Sequence, residues 1–391
     1  MCPLDIPARN RVTSIVDDRA VLLASSGRVR KVLLTELGWN SYFTAMWAEQ
    51  DNCGWTPARV VSQQRGLWRI AGDFGECWAE PSSKLRVAAE AQGDWPAVGD
   101  WIAAELFGEE RAFIQGVLPR RGRFARKAPG KRIEQQVIAA NIDTAFLVVA
   151  LDGDFSPRRL ERYLAQCWES EVNPVIVLNK ADECSDAAAF VADAERVAAS
   201  APVLSVSART GRGMDELDRF LTPGQTIVLL GSSGVGKSTL VNRLLRQDVQ
   251  AVQATRETDG KGRHTTTSRQ LLRLPSGALI IDTPGLREIA LWDAETGVAQ
   301  AFADIEEFAA NCRFRDCGHE SEPGCAVRSA LAAGSLDEER VESLKKLERE
   351  QEFQRRKVDP AAMHEYKSKV TRLHRGARAK YQQRERDGGK R

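Results

Sequence analysis

The sequence predicts a multidomain protein with an N-terminal all-β barrel of the OB type, a central α/β domain and a C-terminal, mostly helical domain. Three observations predict this architecture. Short alternating apolar runs rich in tryptophan occupy residues 38–120, a strand–helix–strand rhythm begins near residue 133, and cysteines cluster between residues 312 and 325. A chain of 391 residues is long enough for two or three domains that each bury a core.

The first segment, residues 1–37, shows no clear hydrophobic period, and we expect it to be a poorly ordered lead-in. It lacks the basic and apolar pattern of a signal peptide. The longest central apolar run, residues 145–151, is far shorter than the ~20 residues that span a bilayer. The formal net charge is only +2, and five of the eight cysteines are scattered. These features predict a reduced, cytoplasmic protein with no membrane partner, and in the absence of any oligomeric signal we expect a monomer.

Residues 38–120 contain seven of the nine tryptophans, set in short alternating runs such as residues 66–70 and 100–104. Glycine, proline and aspartate separate the runs, which is typical of a small antiparallel barrel. A five-stranded barrel of this size often binds oligonucleotides through exposed aromatic rings that stack on bases. The alternative is that the tryptophans fill the core of the barrel, and for most of them this is favoured because tryptophan is usually buried.

A basic stretch with glycine and proline follows at residues 121–132 and is predicted to be a linker. Its arginines and lysines could contact the phosphates of a nucleic acid. They could equally lie in solvent on a plain connector, and the sequence leaves both interpretations open.

Over residues 133–293 buried strands alternate with helices, which predicts a doubly wound parallel sheet. Residues 143–151 and 174–178 have the composition of buried strands, and Pro157 suits the first turn of the helix between them. Ligands of such sheets bind at the carboxyl ends of the strands.

The strongest motif of the α/β domain lies between an apolar strand and a helix, in Gly231–Thr239. Gly231, Gly236, Lys237 and Ser238 satisfy GxxxxGK[ST], the phosphate-binding loop. Glycines let consecutive amides meet phosphate oxygens at a helix N-terminus. Lys237 would reach the β- and γ-phosphates, and the Ser238 hydroxyl would ligate Mg²⁺. An ordinary glycine-rich turn is the alternative, but the flanking strand and helix favour a site for a nucleoside triphosphate.

A second motif, Asn179-Lys180-Ala181-Asp182, follows an earlier buried strand and matches NKxD, the element that reads guanine. The Asp182 carboxylate can accept two parallel hydrogen bonds, from guanine N1–H and the N2 amino group. Adenine lacks this pair of donors and would leave a buried carboxylate unpaired, so the discrimination is sharp. Lys180 would lie along the purine plane, and Asn179 would tie this loop to the phosphate loop. Farther along, Ser207-Ala208 resembles the SAK-like loop whose backbone amide contacts guanine O6.

Two further segments complete the predicted site. Residues 255–269 have the composition of a mobile switch loop, in which Thr266 is chosen to complete the Mg²⁺ shell. Asp282-Thr283-Pro284-Gly285 matches DxxG, with Asp282 near Mg²⁺ and the Gly285 amide near the γ-phosphate, although an ordinary turn is the alternative. Leu286 follows, where many GTPases carry the glutamine that orients the attacking water. His264 is the leading candidate for that role, but it could merely brace the loop.

The C-terminal domain, predicted over residues 294–354, contains Cys312, Cys317, His319 and Cys325 within 14 residues. Three thiolates and an imidazole form a closed tetrahedral set for structural Zn²⁺. Disulfides are the alternative, but they suit a secreted protein. The sequence therefore predicts one structural zinc ion per chain.

Residues 355–391 form a basic tail with 13 lysines and arginines against 4 acidic residues. Such an arm usually binds nucleic acid or remains disordered alone. Beside an oligonucleotide-type barrel, RNA is the favoured partner, and a solubilising tail is the alternative.

The order of the motifs narrows the family, because most GTPases carry the phosphate loop first and NKxD last. Here Asn179 precedes Gly231, and the sheet can still form because the chain ends of such domains lie close together. The chain resembles the RsgA family, also called YjeQ or EngC, the circularly permuted GTPases of bacteria that depend on the small ribosomal subunit. The motifs that carry this resemblance are Asn179–Asp182, Ser207-Ala208, Gly231–Thr239, His264–Thr267 and Asp282–Gly285.

The resemblance implies an OB barrel, a circularly permuted GTPase domain and a zinc-binding domain from residue 38 to the end of the chain. It implies that the protein hydrolyses GTP to GDP and phosphate late in the assembly of the small ribosomal subunit, contacts ribosomal RNA and is stimulated by the subunit. A nucleotide-gated RNA-binding module with little hydrolysis and a phosphotransferase are the alternatives.

The predicted catalytic residues are Lys237 and His264. The predicted GTP-binding residues are Asn179, Lys180, Ala181, Asp182, Ser207, Ala208, Gly231, Ser232, Ser233, Gly234, Val235, Gly236, Lys237, Ser238, Thr239, Asp282 and Gly285. The predicted metal ligands are Cys312, Cys317, His319 and Cys325 for Zn²⁺, and Ser238, Thr266 and Asp282 for Mg²⁺.

Overall fold

The computed structural model describes residues 32–50, 54–64, 66–108, 110–127, 135–152, 155–246, 269–282, 295–368, 370–372 and 375 of the 391-residue chain. These residues form a β-barrel, an α/β domain and a helical C-terminal unit. One eleven-stranded sheet runs through the barrel and the α/β domain. No helix within the described ranges has the length and apolar character to cross a membrane.

The barrel is built from five strands, β1 (Thr56–Gln64), β2 (Leu67–Gly72), β3 (Gly75–Pro81), β4 (Trp101–Phe107) and β5 (Arg111–Val117). They pair in the order β1-β2-β3-β5-β4, and the barrel closes because β1 also pairs with β4. Helix α1 (Ser41–Ala48) precedes the barrel, and α2 (Ser83–Gln92) joins β3 to β4. The predicted five-stranded barrel is confirmed.

The tryptophans of the barrel occupy both of the predicted environments. Trp68 and Trp101 lie in the core, whereas Trp78 on β3 is 38% exposed. Successive side chains of a strand point to opposite faces, and Trp78 alternates with the buried residues Cys77 and Ala79. The core interpretation therefore holds for Trp68 and Trp101, and Trp78 lies on the outer face.

The packed part of the chain begins earlier than predicted. Residues 34–37 form a 3-10 helix ahead of α1, and Val32 and Leu37 are buried. The described end of the predicted lead-in, residues 32–37, is therefore packed against the core. So short a segment has no hydrophobic period from which a helix could be predicted. Residues 1–31 lie outside the described residues.

Part of the predicted linker over residues 121–132 is a strand. β6 (Arg123–Lys127) pairs antiparallel with β7 (Gln135–Ala140) in a separate two-stranded sheet. Phe124 is fully buried. The plain connector, one of the two interpretations left open, is wrong for residues 123–127, because the buried Phe124 anchors this segment in the core.

The α/β domain continues the large sheet with six strands, β8 (Thr144–Ala150), β9 (Asn173–Asn179), β10 (Val203–Ser205), β11 (Thr226–Leu230), β12 (Arg269–Arg273) and β13 (Leu279–Asp282). Their order is β10-β9-β8-β11-β13-β12, and all neighbours are parallel except β12 and β13. Helices α3 (Pro157–Glu169), α4 (Ala187–Val197) and α5 (Lys237–Leu245) connect these strands. β8 is buried along its whole length, which is typical of a parallel strand covered on both faces.

The barrel and the α/β domain share the sheet because β1 pairs antiparallel with β12. Ser62 lies opposite Gln270, and Gln63 lies opposite Arg269. β12 begins at the end of the predicted switch loop, residues 255–269. The barrel is therefore hydrogen-bonded to the strand that follows this loop.

Arg59 of β1 is buried at the junction of the two domains. Its guanidinium donates to the carbonyl oxygens of Gly99 (3.0 Å), Leu37 and Asn141 (3.1 Å) and to Thr226 Oγ1 (2.9 Å). Thr226 begins β11, the strand that leads to the phosphate loop. Arg59 therefore ties the barrel to that strand.

Replacing Arg59 with leucine is expected to lower the free energy of unfolding by about 3–5 kcal/mol, because it removes one buried charge and leaves its partners unpaired. Burial lowers the pKa of Arg59 to about 10 against the opposing charges of Asp143 and Asp100, so the guanidinium stays charged at neutral pH. Denaturant unfolding measures the loss. The control is Arg86→Leu, which removes an exposed arginine near Glu80 and should cost less than about 1 kcal/mol. Equal losses for the two variants would contradict this role of Arg59.

The C-terminal unit contains α6 (Glu295–Ala301), α7 (Ala303–Ala309), α8 (Ala326–Ala332) and α9 (Glu338–Val358). α6 and α7 are two helices and not one, because the chain leaves helical geometry at Phe302, whose side chain is fully buried. Gly297 of α6 lies against α3, where an added Cβ would be only 2.1 Å from Ala165 O. This close approach requires glycine and packs the C-terminal unit onto the α/β domain.

Candidate nucleotide-binding site and metal centre

The phosphate loop, residues 231–236, connects the end of β11 to the start of α5. Gly231 has a φ of 149°, and a Cβ there would lie 2.2 Å from Val148 O. Gly236 has a φ of 92°, and a Cβ there would lie 2.3 Å from Asn179 Nδ2. Both positions therefore need glycine for backbone conformation and for space. The result is the tight strand-to-helix turn that the motif predicts, ending at a helix N-terminus.

Lys237 begins α5, and its side chain reaches back over the phosphate loop. Its Nζ donates to Gly231 O (2.8 Å) and to Ser232 O. Asp282, at the end of β13, lies in the field of the same ammonium group. Burial raises the pKa of Asp282, and the charge of Lys237 opposes that rise. A lysine and a carboxylate thus converge beside the loop, as a site for phosphates and a divalent cation requires.

Asn179 connects three loops at this edge of the sheet. The side chain is buried, donates from Nδ2 to Val235 O (2.8 Å) and accepts at Oδ1 from the Ala208 amide (3.0 Å). The neighbouring Ala181 amide donates to Val206 O (3.1 Å). The NKxD segment, the Ser207-Ala208 segment and the phosphate loop are therefore hydrogen-bonded to one another, although NKxD comes first in the chain.

Asp182 is held by two donors from the loop after β10. Its Oδ1 accepts from Ser207 Oγ (2.6 Å), and its Oδ2 accepts from the Arg209 guanidinium. The Ser207 hydrogen bond, with a further contribution from Arg209, keeps the pKa of Asp182 below its usual value. Asp182 is therefore a carboxylate at neutral pH and can accept two parallel hydrogen bonds. The motifs did not reveal Arg209 as a partner of Asp182, because a single arginine after Ser207-Ala208 carries no signal of its own.

The predicted nucleotide-binding residues that the structure describes lie on the loops at the carboxyl ends of β9, β10, β11 and β13 and on the first turn of α5. Lys180 has a φ of 66°, and its Nζ lies 3.1 Å from Asp152 Oδ2, so it also lies at this edge. His264, Thr266 and Gly285 lie outside the described residues, and so does Leu286.

The four predicted zinc ligands come together in the C-terminal unit. The ligand atoms of Cys312, Cys317, His319 and Cys325 all lie within 4.8 Å of one another. Cys312 Sγ is 3.9 Å from Cys325 Sγ, and His319 Nδ1 is 3.6 Å and 3.4 Å from these two atoms. Two thiolates on a tetrahedral zinc ion are separated by about 3.8 Å, so the donor set fits such an ion. The cluster can hold a metal ion.

Glu322 organises the loop between these ligands. Its carboxylate accepts from the backbone amides of Gly318 (3.0 Å), Glu320 (2.9 Å) and Ser321 (3.0 Å). Amide hydrogen bonds, its own among them, lower the pKa of Glu322 to about 2. Nothing in the residue spacing marks Glu322 as important, because its role depends on the folded loop.

The fold and the site define the class of the protein. A phosphate loop on a central parallel strand shares one edge of the sheet with an NKxD segment that precedes it in the chain, which is the arrangement of a circularly permuted P-loop GTPase. Residues 117–292 match the family model described as RsgA GTPase.

Two relatives extend the match over most of the chain. The small ribosomal subunit biogenesis GTPase RsgA of Opitutus terrae is 44% identical over 357 residues, which cover 89% of this chain and 97% of that protein. The protein of the same name from Streptomyces coelicolor is 43% identical over 376 residues, covering 94% and 100% of the two chains. The chain belongs to the RsgA GTPase family, and the predicted family and the predicted class of enzyme, a GTP hydrolase, are confirmed.

Two solved structures share the fold. YjeQ from Thermotoga maritima is 27% identical with a TM-score of 0.57, over 75% of this chain and 97% of that one. YloQ, described as a circularly permuted GTPase, is 20% identical with a TM-score of 0.54, over 76% and 95% of the two chains. The likeness to YloQ supports the permuted fold alone.

Proposed function

We propose that this protein hydrolyses GTP to GDP and phosphate and acts in the biogenesis of the small ribosomal subunit. The observation that carries the nucleotide part is the pair of hydrogen bonds made by Asn179, which join the guanine-reading segment to the phosphate loop. The names of the relatives state the ribosomal role for those proteins and support it here.

Guanine would bind against Asp182, whose carboxylate accepts from N1–H and the N2 amino group. The two oxygens that would accept these bonds are the ones that now accept from Ser207 and Arg209. Lys180 would lie along the purine plane, and the loop that contains Ala208 would face guanine O6. Asn179 would hold the base-binding segments in register with the phosphates.

The phosphates would lie in the loop at residues 231–236, with Lys237 over the β- and γ-phosphates. To reach them, Lys237 must exchange the carbonyl oxygens of Gly231 and Ser232 for phosphate oxygens. Ser238, Thr266 and Asp282 are the proposed ligands of Mg²⁺, which when bound neutralises charge on the phosphates. Lys237 and the loop amides would stabilise the charge that develops on the transferred phosphoryl group.

The attacking water needs an orienting group, and Leu286 has none to offer. His264 is the proposed residue, and it belongs to the predicted switch loop over residues 255–269, at the end of which β12 begins. Because β12 pairs with β1, a partner that binds the barrel can act on this segment through the sheet. This connection supports the proposal that a bound partner stimulates hydrolysis.

We assign one binding role to each of the domains predicted from the sequence. The barrel (residues 38–120) and the basic tail (355–391) would contact ribosomal RNA, the domain over 133–293 would bind GTP, and the unit over 294–354 would hold one structural zinc ion. The distances among the four ligand atoms support zinc, and the positive charge of the tail supports RNA. A cytoplasmic monomer remains part of the proposal.

Phosphate release from GTP, measured with and without isolated small ribosomal subunits, tests the function. We expect slow intrinsic turnover that rises by about 10²-fold or more with subunits, the order of magnitude that a correctly positioned acid–base side chain such as His264 contributes. His264→Ala should lose this stimulation and keep nucleotide affinity. Turnover unchanged by saturating subunits would favour a nucleotide-gated binding module, and phosphate transfer to an acceptor other than water would favour a phosphotransferase.

A further inference from the structure

Arg159 lies in the first turn of α3 and reaches the phosphate loop from outside the known motifs. Its Nη1 donates to Ser232 Oγ at 2.8 Å. The start of the helix is fixed, because Pro157 occupies its first turn and the Ser156 hydroxyl accepts from the Arg159 amide. The guanidinium therefore projects from a capped helix end onto the second residue of the loop.

Ser232 is held by two cationic side chains at once. Its carbonyl oxygen accepts from Lys237 Nζ, and its hydroxyl accepts from Arg159. A bound triphosphate would draw Lys237 away to the phosphates, so the carbonyl contact would be lost when the ligand binds. The contact with Arg159 uses a different atom of Ser232 and can persist.

The C-terminal unit forms hydrogen bonds with α3 at three neighbouring positions. Glu161 is fully buried and accepts from Arg340 Nη1 (2.8 Å) and from the Ser343 hydroxyl. Arg162 makes two parallel hydrogen bonds of 2.7 Å to Glu350. All three partners lie on α9.

The third position is Arg158, which donates to Asp337 (3.2 Å) and Glu339 (3.1 Å) at the start of α9. Arg158 and Arg159 are adjacent in sequence, yet one contacts the C-terminal unit and the other the phosphate loop. The placement of Arg159 therefore depends on the helix that the C-terminal unit holds.

We propose that Arg159 is a positioning residue for the phosphate loop, and that the C-terminal unit holds it in place through α3. The inference rests on the proposed nucleotide site and adds a residue and a route of coupling to it. Arg159 keeps Ser232 in place before and after Lys237 moves to the phosphates, so the loop is already shaped for the ligand. Such preorganisation acts on binding of substrate and transition state alike, and the effect of losing it falls on KM.

The test measures steady-state GTP hydrolysis and GTP affinity for full-length Arg159→Leu and Ser232→Ala. Each substitution is expected to raise KM and Kd by about ten-fold, because the nucleotide must then order a loop that Arg159 no longer holds, and to change kcat by less than about three-fold. The double variant should be no worse than either single variant, because both remove the same contact. Arg159→Lys should recover part of the affinity, since an ammonium group can also donate to the hydroxyl.

Two further variants provide a control and a test of the coupling between the C-terminal unit and Arg159. Arg196→Leu removes an exposed arginine of α4 that pairs with Asp193, and it should leave KM unchanged. Glu350→Ala frees Arg162 and should raise KM by about two- to three-fold, but only when Arg159 is present.

If Arg159→Leu and Ser232→Ala both bind GTP and both have the KM of the wild-type chain, the inference is overturned. A lower melting temperature without a change in KM would also overturn it, because Arg159 would then be only structural. Failure of the wild-type chain to bind GTP would instead refute the proposed function.

Discussion

Asp182→Asn is expected to lower the affinity for GTP by at least about 100-fold. The carboxylate offers two acceptors to guanine N1–H and the N2 amino group, whereas an amide offers one acceptor and turns a donor toward the other donor. One hydrogen bond to a charged group contributes about 1.5–3 kcal/mol, and an unpaired donor adds a further cost, so a loss of this size follows. Competition against a fluorescent guanine nucleotide measures it.

The same substitution should shift base preference. Xanthine carries a carbonyl oxygen where guanine has the N2 amino group, so Asp182→Asn should bind xanthosine triphosphate better than the wild-type chain does. Glu183→Gln is the matched control, because it neutralises an adjacent exposed carboxylate that lies 3.3 Å from Arg209 and should leave GTP affinity unchanged. Unaltered GTP affinity in Asp182→Asn would show that guanine binds elsewhere.

Removal of the metal is expected to unfold the region around residues 312–325. Cys325 also belongs to the hydrophobic cluster of the C-terminal unit, so the metal loop and that core depend on each other. Structural zinc contributes about 10–16 kcal/mol in small zinc-binding domains, which matches or exceeds the total stability of about 5–15 kcal/mol of a typical domain. Chelation, or Cys317→Ala, should therefore release one zinc ion per chain and make this region sensitive to protease.

Cys184→Ala provides the control for metal removal, because Cys184 is a half-buried cysteine outside the cluster. It should retain zinc and protease resistance. Metal content below one ion per chain in the untreated protein, or full protease resistance after chelation, would contradict the structural role of the cluster.

Local patterns predicted the regular elements well. Alternation around Trp68 and Trp101 predicted barrel strands, because a strand buried on one face alternates apolar and polar residues. The apolar run at residues 143–151 predicted β8, because a strand buried on both faces is apolar throughout. The NKxD and phosphate-loop motifs predicted the loops that Asn179 joins, since their spacing reflects the geometry of a bound nucleotide. Pro157 placed the start of α3 correctly.

Contacts between distant segments could not be predicted. The pairing of β1 with β12 and the buried hydrogen bonds of Arg59 join residues far apart in the chain, and no local period encodes them. The β6 strand was hidden by its basic composition, since Phe124 is the one large apolar residue in the sequence of Arg123–Lys127. Arg209 and Glu322 acquire their roles only from the folded loops that they contact.

The central claim is that one nucleotide spans Asp182 and the phosphate loop, in spite of their reversed order in the chain. A crystal structure of the protein with a non-hydrolysable GTP analogue and Mg²⁺ tests it most directly. The account predicts guanine N1 and N2 within hydrogen-bonding distance of the Asp182 carboxylate, and phosphates of the same molecule on the amides of residues 231–238. A base bound away from Asp182, with the phosphates still in the loop, would contradict it.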